Sequence, residues 1–264
     1  MLCAKMLSIS SGLPSASFIC LAALPSTAAT TYKVYAAYQF WLKSGPFDCG
    51  MTIRQGLRGP ANKASQANGS LMRISPLGIY GSRFELDTVA DWAMQDSRLT
   101  HPNDVCQKAV AIYTTTIATA IANSLTNDAL YDLALIRARQ ELYYKPSIYE
   151  TLQKATDSLP GDFSHQQGWV LIAFQNAFYR LLHAKDTEQA IIETVGEGGD
   201  TDTNGAICGA LMGAVYGVES IPDQWHNAVL NCRPSKDNPE SMKPRPECFW
   251  AVDVLELAEE LLTV

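Results

Sequence analysis

Residues 196–217 read GEGGDTDTNGAICGALMGAVYG, a glycine-rich segment that runs directly into an apolar stretch. We call residues 197–203 the acidic turn, because Asp200 and Asp202 lie there with the hydroxyl of Thr203 beside them. These three side chains supply oxygen donors close together. Mg²⁺, Ca²⁺ and Mn²⁺ prefer carboxylate and hydroxyl oxygens, whereas Zn²⁺ favours Cys and His. The acidic turn is therefore a candidate site for a hard divalent cation.

The apolar stretch after the turn predicts a helix over residues 203–216. Glycines at positions 205, 209, 213 and 217 recur every four residues, which places them on one helical face. A glycine inside a helix costs roughly 1 kcal/mol relative to alanine, so a stripe of glycines needs a structural reason. We expect a second helix to pack almost backbone to backbone against this face. A simpler interpretation, a capped core helix, accounts less well for two aspartates and four glycines.

Three motif classes can be compared with the DTDTNG segment. An EF-hand loop starting at Asp200 would need a bidentate Glu at its twelfth position, where the chain has Leu211. A haloacid-dehalogenase phosphatase would place its acidic motif after an apolar strand, but glycines and Glu197 precede Asp200 here. GGDTDT followed by a small-residue helix resembles the C-terminal signature of the ADP-ribosylglycohydrolase family, which includes the dinitrogenase-reductase-activating glycohydrolases. By this resemblance Asp200, Asp202 and Thr203 would be ligands of a two-metal Mg²⁺ or Mn²⁺ centre.

Two further segments resemble the same family. Asn68-Gly69-Ser70 is similar to its NGSxMR-like loop, which contacts the phosphates or ribose of the ligand, and a glycine loop entering a helix offers N–H groups to an anion. His101, in the segment THPND, matches a Thr-His pair beside bound ADP-ribose. Taken alone, the loop would be interpreted as a helix cap and His101 as a capping or surface residue. The resemblance implies that Asn68, Gly69, Ser70 and His101 bind substrate, and it identifies no catalytic residue.

The rest of the chain predicts helices and no alternating strand. With the resemblance, this indicates an all-α fold, a single-domain orthogonal helical bundle over residues 32–264. Residues 71–79 are apolar with Pro76 among them, and could form a buried helix or a strand. The other predicted helices cover residues 32–43, 48–57, 86–94, 102–123, 128–141, 147–157, 166–184, 186–195, 222–230 and 247–262.

Composition restricts the function further. The net charge of −7 and a pI near 5.1 oppose sequence-independent binding to nucleic acid. No stretch reaches ~18 consecutive apolar residues, so no membrane span is predicted. Seven cysteines without a CxxC pair are typical of buried thiols in a reducing compartment. We expect a cytoplasmic protein that acts on an ADP-ribosylated protein or an ADP-ribose-containing small molecule, with no nucleic-acid or membrane partner.

Residues 1–31 are predicted to be an irregular leader, either disordered or a wrongly assigned start. The segment is rich in Ser, Ala, Thr and Pro, and a short apolar patch at residues 18–24 imitates a secretory signal. A true signal peptide is therefore the alternative.

The resemblance begins near Tyr32 and includes the segment WLKSGPFD at residues 41–48, where Phe47 is a possible contact at the rim of the site. The predicted helix that contains Trp169 also resembles the family and is interpreted as packing.

Family members carry a Thr-Asp-Asp metal motif upstream of the WLKSGPFD-like segment, but this chain has no Asp or Glu before Asp48. Two divalent cations bring four positive charges, of which Asp200 and Asp202 neutralise two. A single Mg²⁺ or Mn²⁺ is therefore the expected occupancy.

The resemblance implies metal-dependent hydrolysis of an ADP-ribosyl bond, and the absent motif leaves two alternatives open. One is a non-catalytic module that binds ADP-ribose or a nucleotide, and the other is a purely structural helical protein.

Overall fold

The computed structural model describes residues 28–140, 143–239 and 241–263, and it contains no β-strand in these ranges. The predicted all-α bundle is confirmed. The leader prediction falls mainly on residues 1–27, outside the described residues, while residues 28–31 form the first turn of α1. The helices are α1 Ala28–Lys43, α2 Met51–Arg58, α3 Gly69–Arg73, α4 Ser75–Gly81, α5 Leu86–Arg98, α6 Asp104–Ala122, α7 Asn127–Arg139, α8 Pro146–Ala155, α9 Val170–His183, α10 Thr187–Gly196, α11 Thr201–Tyr216, α12 Asp223–Leu230 and α13 Val254–Thr263.

Helix α6 forms the centre of the core and packs against α4, α5, α7 and α11. Asn103 caps its first turn by accepting a hydrogen bond from Val105 N at 3.0 Å. Every residue from Ala109 to Thr119 is buried, and the buried threonines 115, 116 and 119 donate their hydroxyl protons to carbonyls one turn back. Among the described residues, α6 is also the one helix long and apolar enough to cross a membrane, with 78% of that stretch buried inside the protein.

The glycine stripe of α11 differs from the prediction. Gly217 lies beyond the helix as its C-terminal cap, with φ of 76°. A Cβ atom added to Gly209 would meet a side chain of α10, Ile191 Cδ1, at 3.1 Å, and one added to Gly213 would meet nothing within 4 Å. A second helix, α10, therefore packs on this face as expected, but it does so through side chains at Gly205 and Gly209 and leaves Gly213 open, so the expected backbone-to-backbone approach is wrong.

Three predicted segments have different boundaries in the structure. Residues 71–79 divide between α3 and α4, with Pro76 in the first turn of α4, so the choice between helix and strand is settled as helix. The helix predicted from residue 166 begins at Val170, after a turn in which Gln166 has φ of 54°. The last predicted helix starts as two 3-10 turns, Glu247–Phe249 and Ala251–Asp253, before α13.

The described cysteines are free, and three of them, Cys49, Cys106 and Cys208, are buried as predicted. Cys232 is exposed, contrary to the prediction, because it follows the exposed end of α12. Burial raises the pKa of the Cys106 thiol to about 12 and that of Cys208 to about 11. Neither thiol therefore provides a thiolate nucleophile at neutral pH.

Candidate functional site

The acidic turn depends on two glycines. Gly198 and Gly199 have φ of 78° and 70°, in the left-handed region that favours glycine. A Cβ atom on Gly199 would lie 1.9 Å from the carbonyl oxygen of Phe163, so the turn presses directly against the loop between α8 and α9. The chain then enters α11 at Thr201, with Asp200 at the N-cap position. The backbone of the turn therefore tolerates only glycine where it crosses that loop.

The loop that precedes α3 meets the acidic turn. The side chain of Asn68 donates from Nδ2 to Asp200 Oδ2 at 2.8 Å, joining residues 132 positions apart. The backbone amide of Asn68 donates to Gly168 O at 2.9 Å, and Trp169 Nε1 donates to Gln66 Oε1 at 2.8 Å. Two segments that the sequence identified separately, the Asn68 loop and the acidic turn, therefore lie side by side.

The three predicted metal ligands differ in exposure: Asp200 is half-buried, Asp202 is exposed and Thr203 is buried. Burial raises the pKa of Asp200 above its ordinary value, and the Asp202 carboxylate beside it raises that pKa further. Hydrogen bonds from Asn68 and Thr203 act in the opposite direction. The two carboxylates thus lie close enough to repel each other, and a cation between them would relieve that repulsion.

Gly69 and His101 are in contact beneath the Asn68 loop. A Cβ atom on Gly69 would lie 3.1 Å from His101 Cε1 and 2.9 Å from Ile53 Cδ1, so the loop rests closely on the imidazole. His101 has no exposed surface. Burial, followed by the nearby Arg73 charge, lowers the pKa of His101 to about 3. The imidazole is therefore neutral at physiological pH and lies underneath the loop rather than at the surface.

Arg73 connects His101 to the neighbouring helices. Its Nη1 donates to Thr100 Oγ1 at 2.8 Å and its Nε donates to Asp96 Oδ2 at 2.9 Å. Tyr38 donates to the other oxygen of Asp96 at 2.6 Å, and Thr100 Oγ1 lies 2.7 Å from His101 Nδ1. Because Thr100 Oγ1 accepts from Arg73, the arrangement favours donation of its own proton to Nδ1, which leaves the imidazole proton on Nε2. We call these five residues the His101 cluster.

Three buried side chains around the site carry polar atoms that have no hydrogen-bond partner among the described residues. These atoms are Ser70 Oγ, His101 Nε2 and both amide atoms of Asn204, which lies one turn after Asp200 in α11. Unpaired buried polar groups are rare in native proteins and are commonly satisfied by bound water, ions or ligands. The site therefore contains donors and acceptors that the protein itself does not use.

The donor set can be tested against the cation that the sequence predicts. Carboxylate oxygens of Asp200 and Asp202 with the Thr203 hydroxyl are the hard ligands that Mg²⁺ and Mn²⁺ prefer. Nowhere in the described part of the chain, however, do three or more His, Cys, Asp or Glu side chains gather in one group. The residues present thus fit one hard cation that keeps several waters, and they fit a two-metal centre less well.

Trp169 and Phe47 show what the sequence analysis missed and what it leaves open. Trp169, interpreted as a packing residue, is 37% exposed and adjoins Asn68 through the paired loops. Phe47, a possible rim contact, is 70% exposed. It follows a segment held by the C-terminal loop, where Arg245 Nη2 donates to Ser44 Oγ at 2.9 Å. Among the described residues, no hydrogen bond joins Phe47 to the acidic turn. Its position at the rim of the site therefore stays a prediction.

All of these residues lie inside one family match. The model of the ADP-ribosylglycohydrolase family matches residues 16–263. This chain belongs to the ADP-ribosylglycohydrolase family. The resemblance predicted from the GGDTDT segment is thereby confirmed at the level of the family.

Individual relatives agree with this assignment. A protein of Acanthamoeba polyphaga mimivirus that carries an ADP-ribosyl glycohydrolase name is 30% identical over 76% of this chain and 68% of its own length. The ADP-ribosyl-[dinitrogen reductase] glycohydrolase of Rhodospirillum rubrum is 26% identical over 71% of this chain and 62% of its own length. A solved structure described as an ADP-ribosylglycohydrolase-related protein complex superposes with a TM-score of 0.68. The superposition covers 95% of this chain and 81% of the chain in that structure. At 21% sequence identity, it shows only that the two chains share a fold.

Proposed function

We propose that this chain hydrolyses the bond between ADP-ribose and an acceptor group, using one hard divalent cation held by Asp200, Asp202 and Thr203. The observation that carries the proposal is the 2.8 Å hydrogen bond from Asn68 to Asp200, which joins the predicted ligand loop to the predicted cation site. A nucleotide sugar bound by the loop would therefore lie next to the cation. The family assignment supports the same reaction class.

The reaction is the addition of water across the glycosidic bond. The hydroxyl of water joins the anomeric carbon of the ribose, and the proton goes to the departing acceptor. Held by Asp200, Asp202 and Thr203, Mg²⁺ or Mn²⁺ would supply charge stabilisation and would orient ribose hydroxyls and water. The chain's own contribution would be positional: Asn68, bonded to Asp200, would place the ligand beside the cation, while the buried, neutral His101 packs against Gly69.

The substrate class follows from the relatives and is part of the proposal. The Rhodospirillum rubrum relative is named for removal of ADP-ribose from dinitrogen reductase, and another relative, from Pseudomonas putida, is named an ADP-ribosylarginine hydrolase. We propose an ADP-ribosylated protein or an ADP-ribose-containing small molecule as the substrate here. The exposed Asp202 is consistent with a site that a large acceptor can approach.

One observation favours a second candidate, a module that binds ADP-ribose without hydrolysing it. Only two carboxylates, those of Asp200 and Asp202, are assigned to the cation. Among the described residues, they do not belong to a group of three or more Asp, Glu, His or Cys side chains. A binding module needs only the loop amides, Asn68 and a charge partner. It has no need of a carboxylate beside the scissile bond.

Calorimetry with Mg²⁺ or Mn²⁺, followed by ADP-ribose, tests the cation site and the ligand site in turn. Asp200→Asn combined with Asp202→Asn is expected to abolish cation binding, whereas Asp223→Asn, the same chemical change on exposed α12, should leave it unchanged. Unchanged cation affinity in the double variant would exclude the assigned ligands. A chromatographic assay for free ADP-ribose released from a modified protein then distinguishes the two candidates. Release indicates a hydrolase, and binding without release indicates the binding module.

A further inference from the structure

Arg180 of α9 is a buried cation that the site described above does not explain. Its side chain is 5% exposed, and it forms ion pairs with two carboxylates, Glu193 inside α10 and Glu197 directly after that helix. Nη2 lies 2.8 Å from Glu197 Oε1, while Nη1 bonds Glu193 Oε2. A buried guanidinium is stable only when its charge is paired, so both carboxylates are fixed against α9.

The two carboxylates lie in different parts of the structure. Glu193 lies inside α10, and its second oxygen accepts a hydrogen bond from Gln189 of the same helix at 2.7 Å. Glu197 follows the last residue of α10 and belongs to the acidic turn, where Gly198 and Gly199 come next. The pair between Arg180 and Glu197 therefore attaches the beginning of the turn to the buried face of α9.

The glycines of the turn make such an attachment necessary. Gly198 and Gly199 bring no side chains of their own to hold the turn, and glycine has the greatest backbone freedom of any residue. The turn is restrained at Gly199 by the carbonyl of Phe163 and after it by the bond from Asn68 to Asp200. Before the glycines, the bond from Arg180 to Glu197 is the side-chain restraint. Loss of that restraint would release the entry to the turn while α10 stays folded.

We propose that Arg180, acting through Glu197, is a positioning residue that sets the conformation of the acidic turn and hence the placement of Asp200 and Asp202. Neither Arg180 nor Glu197 touches the cation or the substrate. The effect on cation affinity rests on the proposed function, because it assumes that the turn binds a cation. The effect on the order of the turn does not depend on that assumption.

Glu197→Gln and Glu193→Gln form a matched pair that tests this role. Each variant removes one carboxylate charge from Arg180, and the two side chains have similar exposure, 32% for Glu197 and 40% for Glu193. Both should therefore lower the melting temperature by a similar amount. Glu197→Gln alone is expected to weaken Mg²⁺ binding at least about fivefold by calorimetry, since only Glu197 belongs to the turn.

Amide hydrogen exchange of the metal-free protein supplies the second readout. Residues 198–204 should exchange at least about fivefold faster in Glu197→Gln than in Glu193→Gln or the unmodified protein. Equal exchange in the two variants overturns the inference, whether or not the protein binds a cation. If the unmodified protein binds no Mg²⁺ or Mn²⁺ but the exchange difference appears, the cation site fails and the positioning role of Arg180 stands.

Discussion

The Asn68 loop contacts both the acidic turn and the His101 cluster, and these two regions are built in opposite ways. The turn consists of left-handed glycines and carboxylates that are half-buried or exposed, with raised pKa at Asp200. The His101 cluster is nearly solvent-free, and its charged pair, Arg73 with Asp96, has side chains 8% and 12% exposed. The comparison teaches that the acidic turn is accessible to solvent, whereas the cluster is a buried support for the Asn68 loop.

The largest expected difference concerns Gly199→Ala. A methyl group there would meet the Phe163 carbonyl oxygen at 1.9 Å and would also occupy a left-handed conformation. We expect a loss of about 3 kcal/mol or more in the free energy of unfolding, measured by urea titration. Gly213→Ala is the matched control, since nothing lies within 4 Å of its added Cβ; it should stabilise the helix by about 0.5–1 kcal/mol. Similar stabilities for the two variants would contradict the packing described for the turn.

The His101 cluster should make stability depend on pH. The pKa of His101, about 3, lies below the ordinary value of 6.5. As the pH falls below 6.5, His101 therefore takes up a proton in the unfolded chain but stays neutral in the folded chain. Stability from this residue is complete above pH 6.5 and declines toward pH 3, with a loss of about 2 kcal/mol at pH 5. Urea midpoints at pH 5 and pH 7, compared with those of His101→Gln, isolate this contribution. The same pH dependence in both proteins would show that His101 is not held neutral.

The smallest expected effect is at the boundary between the two regions. Asn68→Ala removes the bond to Asp200, but the half-buried carboxylate can turn to water. We expect a loss of about 1 kcal/mol in the free energy of unfolding. Binding of ADP-ribose, measured by calorimetry, should weaken clearly in the same variant. Loss of stability without loss of ligand affinity would assign Asn68 to the fold rather than to the site.

The acidic turn could be predicted because its chemistry is contiguous in sequence. Asp200, Asp202 and Thr203 occupy four positions, and the glycines before them indicate a turn. The boundaries of most helices follow similarly from local apolar patterns and caps such as Asn103. A helix covers the α11 glycine face as predicted, but the closeness of its approach was predicted wrongly, because sequence periodicity shows which residues share a face but not how tightly that face is covered.

The His101 cluster could not be predicted in the same way. Arg73 and Asp96 are 23 positions apart on different helices, and Tyr38 lies 58 positions before Asp96. Nothing local in the sequence pairs them, although Arg73 is the last residue of the NGSLMR segment at residues 68–73. Arg180 and Glu197 are similar, since they lie on successive elements and meet only after α9 and α10 pack together. Pairings of this kind depend on tertiary structure.

The bond between Asn68 and Asp200 also constrains how this protein is made. Because its two ends are 132 residues apart, the bond can form only after the intervening helices, α3 to α10, have been synthesised. A nascent chain released before α11 emerges would contain the Asn68 loop without its counterpart. Ligand recognition should therefore appear abruptly, late in translation, rather than growing with chain length.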